Sequence, residues 1–391
     1  MIGAMQSKEI QTQEKPSQEK PSKRPAQVSG LRINSRRIHP RLKSGVRFWR
    51  SDITRQLHIG TRFSNFLLPD QIGELEIESA LVELSKGQAS NRPEQQVLYS
   101  ILENLSLIDD EYTEINYQYR SEESRDIASS IRRSVAQESF LSRMRIESDG
   151  ISRCVGIRDG GARKILQRRE FAIQVNGTGR IAIALLGTLM ASGFDLCEVA
   201  DDVTVRAKDV IGGCIGKKDI GISLNLKLDE LSMDASLYPE PRQFSKKPDL
   251  IISIGSPLPE RLEYWNRHRI PQLFLDFDNS GEIRIGPYVE PGSGACYNCL
   301  NIAEIEGGRP ILSAVRSALG HDQSKPSSGV LDVAAALATF AAATLALAVA
   351  EIADTGSSKF HGRTALFSTL QFLEPQITSW ERSPRCSCNW I

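Results

Sequence analysis

Short β-favouring runs followed by two amphipathic helices open the patterned part of this chain. Residues 46–50, 56–59 and 63–68 are apolar or β-branched stretches, separated by the turn-prone Ser51-Asp52 and by Gly60. Asp70, after Pro69, is the expected N-cap of a first helix. Ile77, Ala80, Leu81 and Leu84 then fall at i, i+3, i+4 and i+7, one helical face that Gly87 can end. A second helix is predicted from Asn91, with Pro93 in its first turn and Glu94 completing a capping box. Its apolar stripe is Leu98, Ile101, Leu102 and Leu105. Three short strands on two helices predict a winged-helix-like module over residues 38–110.

Residues 111–135 are polar and read as a connector, after which the pattern becomes α/β. A buried strand over 171–175 runs into Asn176-Gly177-Thr178-Gly179-Arg180, and a helix follows over 181–191. A second strand over 198–200 ends at Asp201, and residues 250–254 and 272–275 read as further buried strands. Such alternation predicts a parallel sheet with helices on both faces across residues 136–391. Residues 331–350 are nearly all apolar and long enough to span a bilayer. Ten of those 20 are Ala and Asp332 lies among them, so the segment reads as a helix buried in a core or subunit interface.

Charge changes the picture locally. The 391 residues carry 48 basic and 48 acidic side chains. A level balance argues against nucleic acid as the main partner, which needs a basic excess. Residues 1–50 nevertheless hold 12 basic and 3 acidic groups, while residues 70–126 hold 14 acidic and 4 basic. The Gln/Glu/Lys/Pro/Ser tail has little to bury, so residues 1–37 are expected to be disordered. The first 28 residues have no apolar signal core, and seven cysteines are too sparse for a disulfide scaffold. A reducing cytoplasm is the expected compartment.

Two motifs carry chemistry. Gly177-Thr178-Gly179-Arg180-Ile181-Ala182 fits G-x-G-x-x-A at a strand-to-helix turn, where a phosphate can approach a helix N-terminus. Asp201, 22 residues after Gly179, stands where an acid would bind a ribose hydroxyl. Equally, the glycines can serve packing alone. The second motif is Cys296-x-x-Cys299 with Cys386-x-Cys388, two thiol pairs separated by 86 residues. Together they can supply four sulfurs to one tetrahedral structural zinc. Cys154, Cys197 and Cys214 are isolated, and no base is spaced to activate Cys214.

In this order the motifs resemble a known family. The Gly-rich turn, the run Val199-Ala200-Asp201-Asp202-Val203-Thr204-Val205, the strand ending Ile254-Gly255, and Gly286-Pro287-Tyr288-Val289-Glu290-Pro291-Gly292 leading into the CxxC are similar to the ThiF/MoeB, ubiquitin-activating-enzyme-like fold. With the terminal C-x-C, the chain resembles the proteins that accompany YcaO cyclodehydratases in thiazole/oxazole-modified peptide biosynthesis. Those carry an N-terminal winged-helix peptide clamp, and His39-Pro40-Arg41-Leu42-Lys43-Ser44-Gly45-Val46 through Leu67-Leu68-Pro69-Asp70 is similar to its opening strands. The resemblance covers residues 38–391.

It implies a protein that binds the leader of a ribosomal precursor and presents it to a YcaO partner. It also implies a flavin-dependent azoline dehydrogenase as a further associate, and homo- or hetero-oligomers. The leader would lie along the strand bearing Phe63, Phe66 and Leu68 and against Leu98, Ile101, Leu102 and Leu105. The same side chains can instead fill the module's own small core. Acidic surroundings favour a leader with basic character.

Departures from the adenylating members matter here. Their Asn-Leu-x-Arg-Gln stretch reads Arg206-Ala207-Lys208-Asp209-Val210, their Lys after Gly221-Ile222-Ser223 is Leu224, and their strand-end Asp is replaced in Gly255-Ser256. Losing these charges removes stabilisation of a reacting triphosphate. ATP is therefore not expected as a cofactor, and an ATP-dependent adenylyltransferase is the alternative. A nicotinamide-dependent oxidoreductase rests on the glycine turn alone.

Overall fold

The computed structural model describes residues 31–33, 40–61, 64–69, 72–88, 92–112, 115–117, 141–154, 156–200, 203–211, 215–227, 230, 247–277, 281–308, 333–368 and 372–390. Phe63, Asp70, Asn91, Asp201, Cys214 and Asp332 lie outside them.

Strand β1 (Leu31–Ile33) comes from the predicted tail and β7 (Ile115–Tyr117) from the predicted connector, and the two pair antiparallel. The expectation of an unstructured tail through residue 37 is corrected there. Three-residue strands show no periodicity of their own and gain their hydrogen bonds only by closing over a long stretch of chain. Between them, β2 (Arg41–Leu42) pairs with β6 (Ile108–Asp109). A separate antiparallel sheet runs β3 (Arg47–Arg50), β4 (Leu57–Gly60), β5 (Asn65–Leu67).

Helices α1 (Glu74–Ser85) and α2 (Pro93–Asn104) close this unit. All four predicted α1 positions, Ile77, Ala80, Leu81 and Leu84, are buried. The cap of α1 is Gly73 rather than Asp70, with the Glu76 carboxylate accepting from the Gly73 amide at 3.2 Å. Leu57, Ile59, Leu68, Leu98 and Leu102 complete one small core.

A polar joint ties this unit to the rest. Lys43 faces Asp109 at 3.8 Å and donates to the carbonyl of Ile157 at 2.9 Å. Ser152, on helix α3 (141–152), donates to Asp109 at 2.7 Å. Arg41 donates to the Tyr112 hydroxyl at 2.6 Å.

Beyond α4 (Ala162–Glu170) stands a seven-stranded sheet. Its strands are β8 (Ala172–Asn176), β9 (Leu196–Val199), β10 (Leu250–Ile254), β11 (Gln272–Phe277), β12 (Glu282–Val289), β13 (Arg363–Ser368) and β14 (Gln376–Ser379). The order is β14-β13-β12-β11-β10-β8-β9. The four strands β9, β8, β10 and β11 are parallel, as the alternation predicts, whereas β12, β13 and β14 each add antiparallel. The parallel-sheet expectation is corrected in that half: β11 to β12 and β13 to β14 are direct strand-to-strand connections, and the helical stretch between β12 and β13 returns the chain antiparallel.

Helices cover both faces. On β10, Leu250, Ile252 and Ile254 meet the cluster of α5 (Arg180–Ala191) and α8 (Ala335–Thr355), while Ile251 meets that of α6 (Pro259–Arg267) and α7 (Tyr297–Glu306). Helix α8, by length and composition able to cross a membrane, packs along α5 and buries Leu337, Ala341, Leu345, Val349 and Ile352. Arg168 on α4 clamps its end through Asp354 at 2.6 and 3.0 Å.

Candidate functional site

The cysteines converge as their spacing predicts. Strand β12 ends at Val289 and the turn Glu290–Ser293 closes with a 2.9 Å backbone bond. Cys296 then caps α7 and Cys299 lies in its first turn. Cys386 and Cys388 follow β14 and arrive from the C-terminal side. All four sulfurs lie within 4.8 Å of one another. The separations are 3.7 Å for Cys296–Cys299 and 3.5 Å for both Cys296–Cys386 and Cys299–Cys388. No pair is a disulfide. Four thiolates about 2.3 Å from one tetrahedral zinc stand roughly 3.8 Å apart, so this donor set fits a metal ion such as zinc.

Electrostatics points the same way. Burial pushes the Cys296 thiol up, and burial likewise raises Cys386 to about 11. Burial also opposes charge on Cys388, yet hydrogen bonding from the Arg382 guanidinium and from the other three cysteines together outweighs it and draws that thiol down. Arg382 also donates to the Cys388 carbonyl. A divalent cation supplies the opposite charge that a cluster of thiolates otherwise lacks.

A buried polar network fastens this centre to the sheet, and the sequence pattern did not reveal it. The Tyr297 hydroxyl donates to Asp276 at 3.1 Å and lies 3.3 Å from Ser256. Arg284 bridges Asp276, at 2.7 Å, to Glu304 on α7. Burial opposes the charge on Arg284, but the two carboxylates overcome it and hold its pKa above the ordinary value. The available signal was an oppositely charged pair, Asp276 and Arg284, inside largely apolar strands.

At the glycine turn both glycines have conformational reasons. Gly177 has φ +129°, and a Cβ there would stand 2.7 Å from the Ile254 carbonyl oxygen on β10. Gly179, at φ +92°, caps α5. Arg180 spends its guanidinium on the carbonyls of Lys208 (2.7 Å) and Val333 (3.2 Å). Arg206 pairs with Asp209 at 2.8 Å, and Leu224 is 1% exposed within the core.

Of the predicted peptide contacts, Leu68, Leu98 and Leu102 belong to the N-terminal unit's own core. Phe66, Ile101 and Leu105 are half-buried against it. The bonds Thr61 N–H to Ser64 O (2.7 Å) and Leu68 N–H to Leu57 O (2.9 Å) fix the ladder phase of β4 and β5. By antiparallel alternation the Phe66 amide therefore faces β4, while those of Asn65 and Leu67 face outward. Among the described residues β5 pairs only with β4.

No family model and no curated protein sequence matches the chain. Its fold is similar to solved structures. One is E. coli MccB with AMPCPP and selenomethionine MccA, at 13% identity and TM-score 0.55, covering 89% of this chain and 98% of that one. Another is the microcin C7 biosynthetic enzyme MccB with N-formylated MccA, at 13% identity and TM-score 0.56, covering 89% and 99%. A third is selenomethionine PaaA, at 13% identity and TM-score 0.51, covering 87% and 100%. At such identity the likeness is one of fold, and the fold is ThiF-like.

Proposed function

We propose that this protein is a peptide-binding, non-adenylating member of the ThiF-like fold. Its N-terminal unit, winged-helix-like in its three strands and two helices, takes up the leader of a ribosomally made precursor. The sheet domain presents the rest of the precursor to a YcaO cyclodehydratase. The observation that carries this reading is the open edge of β5, where the amides of Asn65 and Leu67 face outward. An extended leader adds there as a further strand, its main chain supplying affinity and its side chains specificity. Phe66, Ile101 and Leu105 offer partly open apolar surface on the same unit. Zinc is the metal assigned to the four cysteines; it supplies no chemistry to the peptide and holds the C-terminal segment to α7.

Support for a non-adenylating role comes from groups committed elsewhere. Leu224 packs in the core where adenylating members carry Lys, Arg206 is held by Asp209, and Ser256 lies beside Tyr297. None supplies charge to a triphosphate. The second reading is an adenylyltransferase acting on a peptide, favoured by the fold's likeness to MccB solved with ATP. ATP–pyrophosphate exchange separates the two: no exchange with leader-bearing peptides is expected, and robust exchange establishes the adenylyltransferase.

A further inference from the structure

The outward face of the small N-terminal sheet carries side chains that solvent does not explain. The register places Trp49, His58 and Leu67 directly opposite one another across β3, β4 and β5. Arg47, Gly60 and Asn65 form the next row on that face. The alternate positions Phe48, Ile59 and Phe66 turn inward to the core. An antiparallel sheet with one solvated face normally alternates apolar-in and polar-out. Here Trp49 is 36% exposed, Leu67 57%, and Ile53 at the β3–β4 turn 93%. The Trp49 and His58 rings stack at 5.6 Å and 8°, a flat aromatic surface held in place.

Charge selects the occupant. Arg47 on this face and Arg55 in the adjoining turn are exposed and make no ion pair among the described residues. Exposed Arg50, by contrast, is held by Glu74. We infer that this face is a docking surface for an acidic segment of a partner protein, which lays apolar side chains on Trp49, Ile53 and Leu67 and pairs carboxylates with Arg47 and Arg55.

A second copy of this chain fits poorly, because a two-fold contact brings each arginine patch onto another. A nucleic acid fits less well still. Two cations are few for binding a phosphate backbone, whose affinity comes from neutralising many phosphates at once. This surface uses side chains, whereas the leader site uses the backbone edge of β5, so both can be occupied together.

The test uses the full-length protein and a fluorescein-labelled decapeptide of alternating Glu and Leu, read by fluorescence anisotropy. Saturable binding that weakens with salt is expected. It should fall about tenfold in Arg47→Glu and in Trp49→Ala, with Arg55→Glu as a second charge reversal away from the strands. Circular dichroism checks that each variant is folded. A matched Lys/Leu peptide and a short oligothymidylate should not bind. The inference is overturned if the acidic peptide does not bind, or if folded Arg47→Glu and Trp49→Ala bind it as the parent does. Oligothymidylate binding lost in Arg47→Glu would also overturn it, by making the face a nucleic-acid surface.

Discussion

The hydroxyl of Tyr297 donates to the carboxylate of Asp276 at 3.1 Å, so the residue next to the first cysteine of the metal centre is anchored to the end of β11. Arg284 and Glu304 extend that anchor from β12 to the body of α7. The metal centre is thereby fixed to the sheet by side-chain hydrogen bonds as well as by the apolar packing of Phe274 on the Tyr297 ring, 4.3 Å between centroids.

Removing that hydroxyl tests the anchor. Tyr297→Phe keeps the ring and should cost about 1.5–3 kcal/mol in denaturant unfolding, the range for a hydrogen bond to a charged group. The variant should also release its metal at a lower chelator concentration than the parent, as a competitive titration measures. Unchanged stability would mean the bond contributes nothing to the fold.

Each of the four cysteines should be needed for the metal. Purified without chelator, the protein should contain one zinc, and Cys388→Ser should retain much less by elemental analysis. Loss of a structural metal worth about 3 kcal/mol lowers the melting temperature by roughly 6–12 °C in a domain of this size. Chelator should reproduce the shift in the parent and have little effect on the variant.

Asp109 makes the joint between the two units sensitive to pH. Burial raises its pKa above the ordinary carboxylate value, opposed in part by the Ser152 hydrogen bond and by Lys43. A carboxyl with a raised folded pKa favours the fold in its protonated form. That contribution is full below the unfolded pKa, about 4, and is lost as pH rises through the folded value. In paired thermal melts, the parent should therefore lose stability relative to Asp109→Asn as pH rises through that window. A difference that grows in the parent's favour would contradict the assignment.

What the sequence made legible follows from how local each signal is. β8, β10 and β11 are predominantly apolar runs, and the C-x-x-C and C-x-C pairs declare four thiols, so these elements and the metal cluster could be read directly. β12 mixes Glu282, Arg284, Gly286 and Pro287 into its length, and its antiparallel pairing with β13 depends on contacts distant in sequence. The Asp276–Arg284 pair is likewise visible only once two strands lie side by side. The stripe Leu98, Ile101, Leu102, Leu105 correctly marks a helix face, but periodicity alone does not divide it between core and ligand. Tertiary packing does, burying Leu98 and Leu102 and leaving the other two partly open.

Capture of a leader on the β5 edge is the central claim, and a titration of a labelled precursor leader into the full-length protein tests it most directly. Proline at Asn65 removes an outward donor without touching the ladder to β4, whereas the Phe66 amide is already turned to Ile59. The account predicts saturable leader binding that Asn65→Pro weakens about tenfold in a variant whose circular dichroism and melting match the parent. Leader binding that is undiminished in that folded variant would contradict it.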